Sequence, residues 1–281
     1  MERLLETLIN LVGCIWTFAN TTFATALIGS LAGAFAGAYG AQRIAERSKT
    51  KELLLAEIRN TNAAIMVASV VFSFFYGLKK QDVKSLKDNF DQQKRDFENA
   101  INSHRNGASS EANGHEIYFD FRTLPPVLTP TMILQTLVFE KLSLNGRPLR
   151  LATTLPQVAH SVDESIQKRN HLIEKFKSEP MSPEKTLQLY FGISDGNRNT
   201  DTSYQDTIKA INDHTDDCIF FSKLLYEDLY DHGEELRKRY TKAFGKDAPK
   251  INRIDFSAEE KEGLLPDEKN YPSWTDGFVK K

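Results

Sequence analysis

The rhythm of apolar and polar positions changes sharply at the amino end of the chain. Residues Leu8 to Ala41 are 34 consecutive positions without Asp, Glu, Lys or Arg. At this chain's charge content such a run is expected only about 0.003 times by chance, so a lipid solvent is its natural physical cause. Within the preceding turns, Glu6, Asn10, Gly13, Thr17 and Asn20 recur at steps of three and four, with Leu4, Leu5, Leu8, Leu11, Val12, Ile15 and Trp16 around the rest of the wheel. The pattern predicts an amphipathic helix over residues 1–20. That helix either lies in the bilayer interface with Trp16 at headgroup depth, or turns Glu6, Asn10, Thr17 and Asn20 toward water inside an assembly, where they face a pore.

Phe23 to Ala41 follows as 19 uncharged residues, about 28 Å as a helix and close to the hydrocarbon thickness. Its large apolar residues stand among many Ala and Gly. Gly29, Gly33 and Gly37 recur every fourth residue, and Ala26, Ser30 and Ala34 form a second row of small side chains beside them. Such faces let helix backbones approach closely inside a membrane, so these six positions are the candidate oligomerisation surface. The partner is another transmembrane helix, of this chain or of a neighbouring copy.

A second uncharged run, Asn60 to Leu78, is richer in large apolar side chains. It reads either as a second span or as a helix buried in a bundle. Val83, Leu86, Phe90, Phe97 and Ile101 then keep near-heptad spacing and predict an amphipathic helix to about His104. The small and polar residues of 105–114 (RNGASSEANG) form the expected linker.

Beyond the linker, Ile117, Phe119 and Phe121 alternate with Tyr118, Asp120 and Arg122, the mark of one short strand over 116–124. Helices are expected from Thr129 and Pro130, over about Leu149 to Lys177, from Ser182 and Pro183, and over about Thr202 to Phe244 before Gly245. All ten prolines lie between Pro125 and Pro272, which leaves the first 124 residues free to be helical. The composite is a mainly α protein with one or two transmembrane helices, a membrane region over 21–104 and a helical cytoplasmic domain over 115–281 containing at most a short strand.

Composition narrows the classes further. The 281 residues are 40% hydrophobic and 26% charged, with a net charge of -2 that exerts no global pull on nucleic acid or anionic lipid. Cys14 and Cys218 are far apart, against a disulfide framework. For one span, Arg3 on the amino side faces Arg43, Arg47, Lys49 and Lys51 on the carboxyl side; the two-span arrangement keeps the same preference more weakly. Both put the carboxyl-terminal bulk in the cytoplasm. A cleaved signal peptide is the competing account, but the first six residues carry one Arg against two Glu and the apolar stretch is too long.

Chemistry is hard to find in the linear sequence. It carries no phosphate loop, nucleophile elbow, zinc-protease motif or paired Cys-x-x-Cys. His214 and Cys218 share a helical face, yet zinc takes about four ligands, so no metal is assigned. Asp195, Asn197, Asn199, Asp201 and Asp206 resemble the ligand spacing of a calcium-binding EF-hand loop, but Thr200 occupies the glycine position and Asp206 replaces the long Glu, which leaves a polar turn-rich loop. Arg237, Lys238, Arg239 and Lys242 form a basic cluster after Glu234 and Glu235, read as a solvated helix face or as a contact for nucleic acid or a ribonucleoprotein partner. No catalytic residue, cofactor or small-molecule substrate is indicated.

The layout of about the first 80 residues, a glycine-rich span and a second uncharged run ahead of a helical body, resembles the transmembrane effectors of bacterial antiphage systems, including those associated with retrons. The resemblance implies a homo-oligomerising toxin held quiet by a regulatory protein or ribonucleoprotein, which perturbs the inner membrane on infection and halts the host. Two other readings stay open: a membrane-tethered binding or sensor module, and a membrane-bound enzyme without a linear motif.

Overall fold

A computed structural model describes residues 2–19, 21–105, 117–194, 200–245 and 248–275. Among them the protein is mainly helical and contains no strand. It divides into two compact units, residues 1–56 and 57–281. The linker expected at 105–114 falls, apart from Arg105, outside the described residues, and both of its flanks belong to the second unit.

In the first unit, α1 (Glu2–Ala19) is followed by the start of α2 (Thr22–Leu78). Thr21 separates them and caps the second helix: its Oγ1 accepts from Ala24 N at 3.3 Å and donates to Phe18 O at 2.7 Å. A threonine side chain thereby satisfies one amide that a helix start leaves unpaired.

The second unit is built on α5 (Arg147–Ser178) and α7 (Ser203–Phe244). They run antiparallel, as Arg147 meets Asp228 near one end and Phe176 meets Tyr204 near the other. Their core rows follow helical spacing: Leu151, Leu155, Val162, Ile166 and Ile173 on α5, and Ile208, Ile211, Cys218, Leu225 and Leu229 on α7. The 57–78 stretch of α2 also runs antiparallel to α7, with Glu57 beside His232 and Lys79, just beyond its end, beside Asp216. Ile58, Ala64, Ile65, Ala68, Val71, Phe72 and Phe75 are at most 1% exposed, so within this body the second uncharged run packs as a core helix.

A π-helical segment, Lys79–Val83, joins α2 to α3 (Lys84–Arg105). Two shorter helices, α4 (Thr131–Lys141) and α6 (Pro183–Phe191), pack on α5 and α7 respectively. Both ends of α6 are written in its sequence. Ser182 accepts from Lys185 N at its start, and Gly192, at φ +64°, turns the chain where Ile193 N donates to Gln188 O at 2.9 Å. The expected cap at Thr129 is not observed: the helix starts at Thr131, after Pro130, with no side-chain cap.

The expected strand is also absent. Residues 117–128 are extended, but their main chain is held by side chains. Asn170 brackets Leu124, accepting from its N–H at 3.0 Å and donating to its carbonyl at 2.8 Å, while Asp163 accepts from Val127 N. Pro125 and Pro126, which offer no N–H, rule out a continuous ladder.

After α7 the chain returns as a strap over residues 248–275 containing the short helices α8 (Ser257–Lys261) and α9 (Pro272–Thr275). Asn62 of α2 binds Lys250 O and Asn252 N, each at 2.9 Å, and Phe256 packs on Phe72 with ring centroids 4.6 Å apart. Tyr271 stacks on Phe220 at 3.8 Å, and Trp274 is buried beneath Arg150.

Candidate membrane and association surface

The first unit has almost no interior. Of its described side chains only Ala24 and Leu54 are buried. Fifteen large apolar side chains from Leu8 to Leu53 are exposed, among them Trp16 at 71% and Phe35 at 76%. Burying each would be worth roughly 1.5–3 kcal/mol, so the surface left open represents tens of kcal/mol of unrealised burial, well above the marginal stability of a domain. An isolated 18-residue helix is itself marginal in water.

Several hydroxyl groups of this unit bond back to the helix's own carbonyls. Thr7 donates to Arg3 O at 2.6 Å, Thr17 to Gly13 O at 2.7 Å, Thr25 to Thr21 O at 3.2 Å and Ser30 to Leu27 O at 2.9 Å. Such back-bonding satisfies a hydroxyl without water, as a helix in hydrocarbon requires.

Gly29, Gly33 and Gly37 are bordered by open space, since a methyl added at any of them would meet nothing within 4 Å. Ala26, Ser30 and Ala34 are exposed as well. Glu6, Asn10 and Thr17 are exposed, while Asn20 lies outside the described residues. The helical run Thr22–Ser103 is long and apolar enough to cross a membrane, but its most apolar 18 residues are 56% buried inside the protein, and a soluble core helix passes the same test.

The second unit holds polar groups that sequence reasoning missed. Arg169 on α5 is 1% exposed and donates to Arg122 O at 2.7 Å and Asp120 O at 3.0 Å, its guanidinium 5.6 Å from the Tyr204 ring. It borders a small cavity of about 80 Å³ lined also by Asp82, Leu86, Asp120, Arg122 and Thr123. Burial opposes charge on Asp120, but hydrogen bonds from the Arg122 side chain and backbone outweigh it and hold the carboxyl below its ordinary range. A basic residue within an amphipathic helix was the only linear signal for Arg169, and it is an ambiguous one.

Near the middle of α7, Lys79 pairs with Asp216 and the Tyr271 hydroxyl donates to Asp217 at 2.8 Å. Burial pushes the Asp216 carboxyl above its usual range despite the lysine. His214 and Cys218 diverge in environment: the histidine is partly exposed, 3.8 Å from Asp217, whereas the thiol is fully buried and its pKa is pushed well up by burial. Among the described residues, no group of three or more His, Cys, Asp or Glu is arranged to hold a metal ion. Asp195, Asn197 and Asn199 of the calcium-like loop lie outside the described residues, and Asp201 instead caps Ser203 N at 2.9 Å.

Comparison with protein-family models, with curated proteins and with solved structures gives no match, so the functional reading rests on the chain's own chemistry.

Proposed function

We propose that this chain is a membrane-embedded, self-associating effector that perturbs a bacterial inner membrane when a regulatory protein or ribonucleoprotein releases it, in the manner of abortive antiviral defence. The observation that carries the reading is the near-total exposure of apolar side chains over the first 56 residues, beside a body that keeps its own core. Lipid is the solvent that makes such a surface favourable. The open small-residue face then supplies the contact between copies, because van der Waals packing drives helix association where no hydrophobic drive exists. In an assembly, Glu6, Asn10, Thr17 and Asn20 line a wet interior, and the body projects into the cytoplasm.

The test is Gly33→Leu. The added side chain meets open space in the single chain, so the helix forms as before while close approach of a second copy is blocked. Crosslinked oligomers and growth arrest on expression are both expected to fall. Unchanged crosslinking together with unchanged arrest removes the reading.

A tethered recognition module is the second reading, favoured by the body's possession of nearly all the buried core. Replacement of residues 1–56 by an unrelated membrane anchor separates the two, since retained activity supports the tether and lost activity the effector.

A further inference from the structure

The body is electrically polarised along α7. Its first fifteen residues, Ser203 to Asp217, carry four Asp against one Lys, whereas Gly233 to Gly245 carries Arg237, Lys238, Arg239 and Lys242 against Glu234 and Glu235. Glu234 is matched by Arg237 at 3.6 Å. Lys238, Arg239 and Lys242 occupy one exposed face at helical spacing, opposite the buried Leu236 and Tyr240, with Glu235 the single acid on that face. Lys250 at the start of the strap is exposed as well.

The basic end is also the end of the body that holds Glu57. That carboxylate meets His232 at 3.2 Å and accepts from Ser143 N at 2.9 Å, while Asn62, five residues on, binds Lys250 O. Because α7 is antiparallel to the 57–78 stretch, it continues twelve residues past His232 on the Glu57 side, about 18 Å. Lys238 and Lys242 lie about 9 and 15 Å along that extension. Arg43, Arg47, Lys49 and Lys51, which lie in the sequence between the uncharged run and Glu57, carry the same sign of charge.

We propose that the carboxyl-terminal tip of α7, through Lys238, Arg239 and Lys242, docks on the anionic headgroups of the leaflet that the amino-terminal span enters. The inference rests on the membrane reading above. Each basic side chain close to an anionic surface favours binding about fivefold, so three give on the order of 100-fold, and the attraction fades beyond a Debye length of about 8–10 Å. Docking would hold the acidic half of α7 away from the bilayer, where a cytoplasmic partner can reach it.

The experiment uses the full chain reconstituted in vesicles, with Cys14→Ser to remove the exposed thiol and Thr241→Cys to carry a fluorophore. Quenching by brominated lipid is compared in phosphatidylcholine vesicles with and without one third phosphatidylglycerol, and flotation reports membrane association separately. Support is quenching several-fold stronger with the anionic lipid and lost at 1 M salt. The same loss is expected when Lys238, Arg239 and Lys242 are all changed to Gln, with flotation intact. Quenching that is absent or indifferent to lipid charge, in a chain that still floats, overturns the docking and leaves the membrane reading standing. A chain that fails to float sinks both. If single-stranded RNA raises the fluorophore's anisotropy in a salt-dependent way while anionic lipid leaves it unquenched, the tip is a nucleic-acid contact and the proposal is overturned.

Discussion

Replacing Arg169 by Met tests how the extended 117–128 segment is held. The guanidinium of Arg169, a residue 1% exposed, donates to two main-chain carbonyls, at Arg122 and Asp120. Hydrogen bonds from a charged donor are worth roughly 1.5–3 kcal/mol each. Met fills similar volume and escapes the desolvation of a buried charge, which by itself favours the variant. The carbonyls decide the sign, because they lose a charged donor that Met cannot replace. Asp120 O keeps the Tyr204 hydroxyl at 3.0 Å, whereas Arg122 O loses the one partner described for it. The net expectation is a loss of about 2–4 kcal/mol, with Arg169→Lys intermediate because an ammonium cannot span both carbonyls as a planar fork does. Trp274, buried in the strap, reports unfolding of the body in a Trp16→Phe background, by urea titration in detergent. Amide exchange over residues 119–124 should accelerate in parallel. A Met variant within 0.5 kcal/mol of the parent, with exchange unchanged over that segment, would refute the argument.

Other expectations follow from the same geometry. In Gly233→Ala the new methyl would sit 2.9 Å from Ile251 Cδ1 and 3.1 Å from both Cγ atoms, so overpacking of about 1–3 kcal/mol outweighs the roughly 1 kcal/mol gained in helix propensity. Urea midpoints should show net destabilisation of up to about 2 kcal/mol, relieved in the double variant with Ile251→Ala; simple additivity of the two changes would count against the contact. Asp120 has a folded pKa below its ordinary 3.8, so its contribution is present above that value and disappears as pH falls through the lower folded value. Since Arg122 is 70% exposed, that contribution is under about 1 kcal/mol, and the stability gap between the parent and Asp120→Asn should close below pH 3.8. A gap of constant size from pH 6 to 3 would contradict the assignment.

Much of the architecture could be read from residue spacing. Ser182 with Pro183, Gly192, and the long periodic run closed by Gly245 mark ends that the structure places within a residue or two, because capping chemistry is local. The fate of Asn60–Leu78 could not be read that way: an uncharged apolar run suits both hydrocarbon and a protein core, and only its neighbours from α7 and the strap distinguish them. The 117–124 alternation suggested a strand for the same reason. Phe119 and Phe121 do turn to one side, where they join an aromatic cluster with Tyr190 and Phe176, but a side-chain period of two records which way residues face and is silent about what satisfies the backbone. Arg169 was invisible because nothing in its local spacing distinguishes it from a solvated arginine.

The way α5 grips residues 117–128 reverses the usual distribution of mutational tolerance. Its contacts are made to peptide groups, which every amino acid except proline supplies alike, so an outward position such as the exposed Thr123 can drift in identity. The restraint falls instead on Asp163, Arg169 and Asn170, three helical residues whose functional groups stand in for an absent neighbouring strand. Lacking a ladder, the segment also offers no regular row of donors and acceptors on which another copy could template a fibril.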